Sequence, residues 1–384
     1  MKNKSSVSSL TALFSLNFFL YGLNALYYSF MPVYLDMYHT NVSKGILLSV
    51  GPVVSVIAPI FWGKIADKSS TKNRIVALTI ILSAAAFFSA YFSHSFLYLF
   101  IIFIVIMFFM SPFGGLVDTI TLEYSSQNGV NYGPIRLMGT IGYGLIAFII
   151  SLFTANGILP VFVSYIVIAA IAAVSAMMSP SVRGHAQPKQ KLSLAPIFRD
   201  KGLMLIFAFT AISYFVFSFY QNFYSEYVLK TLGLPDWVWG LNVFLTITGE
   251  IPFFIFFGFI MKKLGKTKVI AISFVITVIR CFALAFAKDA FSILTTAVLT
   301  GFCVTPVTYC ASVYINEHIP ENLKASGQSV MYAFFTSIPR IISSLAGGFI
   351  VSSIGVSGAL IICGIISAIS LLLLPLTRKY KIDY

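Results

Sequence analysis

Twelve stretches of this chain run apolar for about the 20 residues that a helix needs to cross a bilayer. They lie near 10–34, 45–66, 75–92, 96–120, 136–154, 158–178, 202–228, 237–260, 268–286, 291–314, 327–350 and 355–376. Of the 384 residues, 58% are hydrophobic and only 10% charged, against roughly 25% charged in an average soluble protein. The expected fold class is therefore an all-α membrane protein with twelve transmembrane helices.

A formal net charge of +13 invites a nucleic-acid reading, and the positions of the basic residues dispose of it. Of the 25 Lys and Arg, nineteen fall at the N-terminus, in the loops that follow even-numbered spans, or at the C-terminus. Lys44, Lys230 and Lys288 face the other side, and Arg136, Arg280 and Arg340 lie within spans. Basic residues mark the cytoplasmic side, so both termini are expected in the cytoplasm, with the plasma membrane as the site and no nucleic-acid partner. The first apolar run is too long for a secretory signal and passes into Pro32 without a cleavage pattern. It reads as the first span. Cys281, Cys303, Cys310 and Cys363 all lie in spans with no metal-ligand spacing and read as packing residues.

The longest polar segment, Ser181 to Lys201, sits at the centre of the chain. It divides a six-helix bundle at 1–180 from a second at 202–384, with 181–201 as a cytoplasmic loop. Internal repetition supports the division. The loop FWGKIADKSSTKNRIV from Phe61 and the loop FFGFIMKKLGKTKVIA from Phe256 both set a glycine and a basic turn between apolar runs. Asn17, Tyr21, Asn24 and Tyr28 are spaced 4, 3 and 4 on the first span, and Tyr214, Ser218, Gln221 and Ser225 repeat that spacing on the seventh. Such spacing places each set on one helical face. Midplane tyrosines offer both a stacking face and a hydroxyl that needs a partner, so these stripes are expected to line a central cavity, with Tyr21, Asn24, Tyr28, Asn17, Tyr214 and Gln221 as substrate contacts.

Charges inside hydrocarbon are costly and mark function or a partner. Asp118 in GGLVDTITLEY and Arg136 in YGPIRLMGTIGYG lie on adjacent spans joined by a short loop. A carboxylate and a guanidinium can form a bidentate pair there, beside Gly139 and Gly142, which permit close helix approach. Glu250, Arg280 and Arg340 occupy spans eight, nine and eleven, with Pro252 and Pro339 beside them. A buried carboxyl whose protonation shifts as a cation approaches or withdraws can carry a proton. Three arginines against two acids also point to an anionic ligand.

These motifs resemble the major facilitator superfamily over essentially the full length, and within it the lactose-permease-like group of proton symporters with its oligosaccharide, nucleoside and phenylpropionate relatives. GKIADKSSTKNR resembles the superfamily's cytoplasmic loop between spans two and three, implying a gating role for Gly63 and Asp67. YGPIRLMGTIGYG resembles the group's span-five signature, which implies that Arg136 binds substrate and that Tyr143 stacks on it. The resemblance likewise implies Asp118 as an acidic substrate ligand, TGEIPFF as the span-eight acidic motif carrying Glu250, and Arg280 as the arginine that assists proton transfer. At the positions of the group's span-ten His and Glu this chain has Gly301 and Val304, so proton coupling falls to Glu250 or Asp118. Arg340 has no counterpart and joins the candidate substrate ligands.

The expectation is a secondary active transporter with a major facilitator fold: a monomer among membrane lipids that couples protons to uptake of an oligosaccharide, nucleoside or aromatic acid by alternating access. No cofactor, metal site, catalytic nucleophile or phosphate loop is expected, and hence no enzyme. Export, facilitated diffusion and lipid flipping on the same scaffold are the alternatives.

Overall fold

The computed structural model describes residues 2–182, 194–380 and 382–383, and every regular element among them is helical. Most of the central loop therefore lies outside the described residues. In chain order the helices are α1 (Lys2–Tyr38), α2 (Asn41–Lys68), α3 (Lys72–Ser89), α4 (Phe96–Met110), α5 (Phe113–Asn128), α6 (Tyr132–Ser151), α7 (Leu159–Met178) and α8 (Ala195–Arg199). They continue as α9 (Lys201–Glu226), α10 (Asp236–Thr248), α11 (Glu250–Ala285), α12 (Ala290–Ala297), α13 (Thr305–His318), α14 (Glu321–Val330), α15 (Ile338–Ser370) and α16 (Leu374–Lys379).

Ten stretches of the described residues are long and apolar enough to cross a membrane. Two glycines mark boundaries between the expected spans. Gly355 has φ +72° inside α15 and kinks the chain between the expected eleventh and twelfth spans, which together make up the run Ser326–Lys379. Gly265 has φ +75° inside α11 and turns the chain between the expected eighth and ninth spans. Only glycine adopts that left-handed region without steric cost. The eighth span itself is divided between α10 and the start of α11.

The helices gather into two units. One comprises Met1–His39, Val50–Pro188 and Pro235–Phe244, the other Thr40–Ser49, Lys189–Leu234 and Leu245–Tyr384. The first turns of α2 thus group with the second unit, and most of α10 with the first.

In the first unit α1 packs along α6 and α7, and α3 along α7 and α4. The contact between α1 and α6 is made by small residues: a Cβ on Gly142 would fall on the backbone carbonyl of Phe18. Without a hydrophobic force between helices in lipid, such close backbone approach supplies the packing energy. Phe87 stacks on Tyr165 at 4.0 Å, and Tyr34 donates to the Ala90 carbonyl at 2.7 Å. Trp239 of α10 donates its indole N–H to the Ser29 carbonyl at 3.0 Å.

In the second unit α15 packs along α9 and α11, and Asn222 donates to Ser344 at 2.8 Å. Lys44, expected at the outer surface, is fully buried here, with its ammonium 4.9 Å from the centre of the Phe223 ring. An aromatic face attracts a desolvated cation. Nearby Asn41 donates to Glu226 at 3.2 Å. The start of α2 brings both residues into this unit, which periodicity alone does not reveal.

The two basic loops read as a repeat do the same mechanical work in each unit. Buried Asn73, at the start of α3, donates to the carbonyls of Ala176, Ser179 and Pro180 and accepts from the Val182 amide, so it ties down the chain as it leaves α7. In the second unit the Asp383 carboxylate accepts from the Thr267 amide at 3.0 Å, and Lys266 donates to the Ile382 carbonyl at 3.2 Å while pairing with Glu317 at 2.6 Å. Ile382 is itself fully buried. Each unit is closed by a stitch between its last helix and its third.

Candidate functional site

Two partly exposed intramembrane charges meet in the first unit. Helix α5 ends at Gly129, whose φ of +65° turns the chain, and α6 begins two residues later with Asn131 as its N-cap, accepting from the Gly133 amide at 3.0 Å. This short connection folds α6 back along α5. Arg136 Nε then lies 3.8 Å from Asp118 Oδ1. At that separation the two charges attract without a direct hydrogen bond. Tyr132, which sequence reasoning did not single out, donates its hydroxyl to the same Asp118 oxygen at 3.0 Å. On its other side the guanidinium lies over the Tyr21 ring, 4.1 Å from its centre. Gly139 lets the ring approach, because a Cβ there would collide with it.

The Arg136 and Asp118 side chains are 35% and 33% exposed. That figure decides what the pair can do: a third of each group remains open, so neither is consumed by the other. The arrangement offers a ligand a planar cation with hydrogen-bond donors, a carboxylate acceptor, and an aromatic ring held beside them. Among the other expected contacts, Asn24, Tyr28 and Tyr143 are half-buried. Asn17 departs from the expectation. It is 0% exposed and donates to the Leu13 carbonyl and Thr121 Oγ1, tying α1 to α5. The 4, 3, 4 spacing fixes a helical face but not which neighbour covers it, and α5 covers Asn17.

The second unit gathers its charges around Tyr214. This tyrosine lies within electrostatic reach of Tyr332, Arg340 and Glu250. Tyr332 carries no sequence signal of its own. Gln221, two turns along α9 from Tyr214, is half-buried. Arg280 stands in different company. It is 4% exposed, lies 4.1 Å from the centre of the Tyr220 ring and donates from Nε to the Thr296 carbonyl at 3.3 Å. Tyr220, Tyr224 and Tyr227 stack in series beside it. The arginine within electrostatic reach of Tyr214 is Arg340.

Gly63 and Asp67 lie at the end of α2, where a Cβ on Gly63 would meet open space and Asp67 makes no hydrogen bond or ion pair with the described residues. Among the described residues no three His, Cys, Asp or Glu side chains are grouped to hold a metal ion.

Comparison with known proteins now adds to this geometry. The sequence model of the MFS_1 like family matches residues 10–360. An uncharacterized transporter, YwbF of Bacillus subtilis, is 25% identical over 84% of this chain and 81% of its own length. Maltose permease of Geobacillus stearothermophilus is 23% identical over 86% of this chain and 85% of its own. The crystal structure of a mutant of the nucleoside transporter NupG superposes with a TM-score of 0.87 at 17% identity, covering 96% of this chain and 99% of that one. A bacterial homologue of the human lysosomal transporter Spinster follows with a TM-score of 0.75 at 12% identity, covering 98% and 97% of the two chains. With the family model matching nearly the whole chain, and the helical fold matching in kind, the protein belongs to the MFS_1-like family and is a membrane transporter of the major facilitator type.

Proposed function

We propose that this transporter takes up a small polar metabolite, an oligosaccharide, nucleoside or aromatic acid, across the plasma membrane in symport with protons, as a monomer with both termini in the cytoplasm. The observation that carries the reading is the cluster of Tyr21, Asp118, Tyr132 and Arg136, a partly exposed ion pair with an aromatic ring against it. A ligand that suits it has hydroxyl or carboxylate groups for the charges and a flat or weakly polar face for the ring. Sugars, nucleosides and aromatic acids share that description. Two relatives are named for the first two classes, a maltose permease and a nucleoside transporter.

Proton coupling rests on Glu250, the acid that joins Arg340 in acting on Tyr214. In this reading Glu250 is protonated when substrate binds and releases the proton when a guanidinium approaches, because a nearby cation favours the carboxylate. Purified protein screened by thermal shift against sugars, nucleosides and aromatic acids identifies the ligand class. Proteoliposomes then test the coupling: Glu250→Gln is expected to lose accumulation driven by a pH gradient while retaining exchange of substrate at equilibrium. Undiminished accumulation by Glu250→Gln would assign the coupling elsewhere or leave a facilitative carrier.

A further inference from the structure

Arg340 follows directly on an irregularity in its helix. Between α14 and α15 the segment Met331–Ser337 is wound as a π-helix, with hydrogen bonds closing over five residues instead of four. Pro339 gives a cause. It has no N–H to offer, and its ring crowds the carbonyl four residues back, that of Phe335. A wider turn relieves that crowding. The hydroxyls of Thr336 and Ser337 hold the widened turn by donating to one acceptor, the Tyr332 carbonyl, at 2.7 and 3.0 Å.

Such a turn amounts to one extra residue inserted in an α-helix, and insertions of this kind recur at functional sites. Here the insertion has a geometric consequence. Tyr332 and Arg340 are eight residues apart, and at about 100° per residue an unbroken α-helix would set them about 80° apart around the axis. With one residue absorbed by the wide turn they behave as though seven apart, within about 20° of one another. Tyr332, Arg340 and Glu250 all lie within electrostatic reach of Tyr214.

We propose that the wide turn is a positioning device that keeps Arg340 on the helix face shared with Tyr332, toward Tyr214 and Glu250. Pro339, Thr336 and Ser337 are then positioning residues for the coupling site. If the turn relaxed to α-helix, Arg340 would swing by roughly 100° about the axis and shift about 1.5 Å along it. The guanidinium would leave the acid it serves. This rests on the functional reading of Glu250 and Arg340 given above.

The experiment has two readouts. For geometry, Tyr214→Cys with Arg340→Cys is treated with a short bismaleimide, alone and together with Pro339→Ala, Thr336→Val and Ser337→Ala. The wide turn predicts efficient cross-linking in the first protein and at least a tenfold slower reaction in the second. Equal rates would overturn the proposal whatever transport does. For function, the triple replacement is expected to lower pH-driven uptake at least tenfold, and deleting Ala333 in that background to bring it back within threefold of the wild type. The deletion leaves Tyr332 and Arg340 seven residues apart on a regular helix, which restores the shared face by another route. Wild-type uptake by the triple replacement would also overturn the proposal. Arg340→Gln separates the two ideas: if it transports normally, the coupling role of Arg340 fails, while the cross-linking rates still judge the turn.

Discussion

Arg136→Lys keeps the charge of the candidate binding cluster and removes its shape. In the structure the guanidinium lies 3.8 Å from Asp118 and 4.1 Å from the centre of the Tyr21 ring, with a third of the side chain exposed. A half-open ion pair of this sort contributes about 0.2–1 kcal/mol, and the cation over the ring about 0.5–1 kcal/mol. Lysine retains part of both, so the folded protein is expected to lose less than about 1 kcal/mol. Substrate binding loses more. The terminal fork offers paired donors in a plane that an ammonium cannot reproduce, and a hydrogen bond to a charged group is worth about 1.5–3 kcal/mol. The expected penalty is roughly 10- to 150-fold in Kd. Isothermal titration of wild-type and Arg136→Lys protein with the ligand found by thermal shift measures it, and the melting midpoints without ligand measure the structural part. A Kd within threefold of the wild type would show that Arg136 holds α6 to α5 and does not read the substrate.

Four further outcomes are expected. Gly142→Ala drives a methyl group onto the Phe18 carbonyl, an overpacking cost of about 1–3 kcal/mol, read as a lower melting midpoint. Asn73→Ala removes five hydrogen bonds, one of them from Thr71, which at about 0.5–1.5 kcal/mol each is expected to cut stability and expose Val182 to proteolysis. Asp67→Asn breaks no described contact and is expected to change stability by less than about 0.5 kcal/mol; a fall in transport at unchanged stability would then point to a gating role, and unchanged transport would remove it. His39, outside the spans, has its pKa held below the ordinary 6.5, chiefly by burial, with the neighbouring His94 charge adding to the effect. The folded state resists that proton, so stability is full above about 6.5 and declines as pH falls below it, and His39→Gln is expected to flatten the decline.

The spans were legible because a bilayer imposes a length and a composition that few other structures share, and the Asp118–Arg136 meeting was legible because three residues separate their helices. What the sequence hid was mostly a matter of partners. The stripe from Asn17 to Tyr28 is a true helical face, yet Asn17 is covered by α5 and bonded to Thr121, since spacing along one helix says nothing about which other helix lies over it. Lys44 reads as a surface residue until the start of α2 is seen to carry it onto Phe223. Arg340 had no motif to explain it, and it follows a π-helical turn, Met331–Ser337, whose change of register a periodicity argument does not anticipate. Arg280 was placed beside Glu250 by the family resemblance, and the structure sets it against a tyrosine ring and a carbonyl.

The paired stitches bear on how this protein can be handled at the bench. Asn73 closes the first unit through Val182, and Lys266 and Thr267 close the second through Ile382 and Asp383. A tag fused directly after Asp383 pulls on a buried isoleucine and on the carboxylate that caps Thr267, so affinity handles belong at the other end of the polypeptide or beyond a generous spacer.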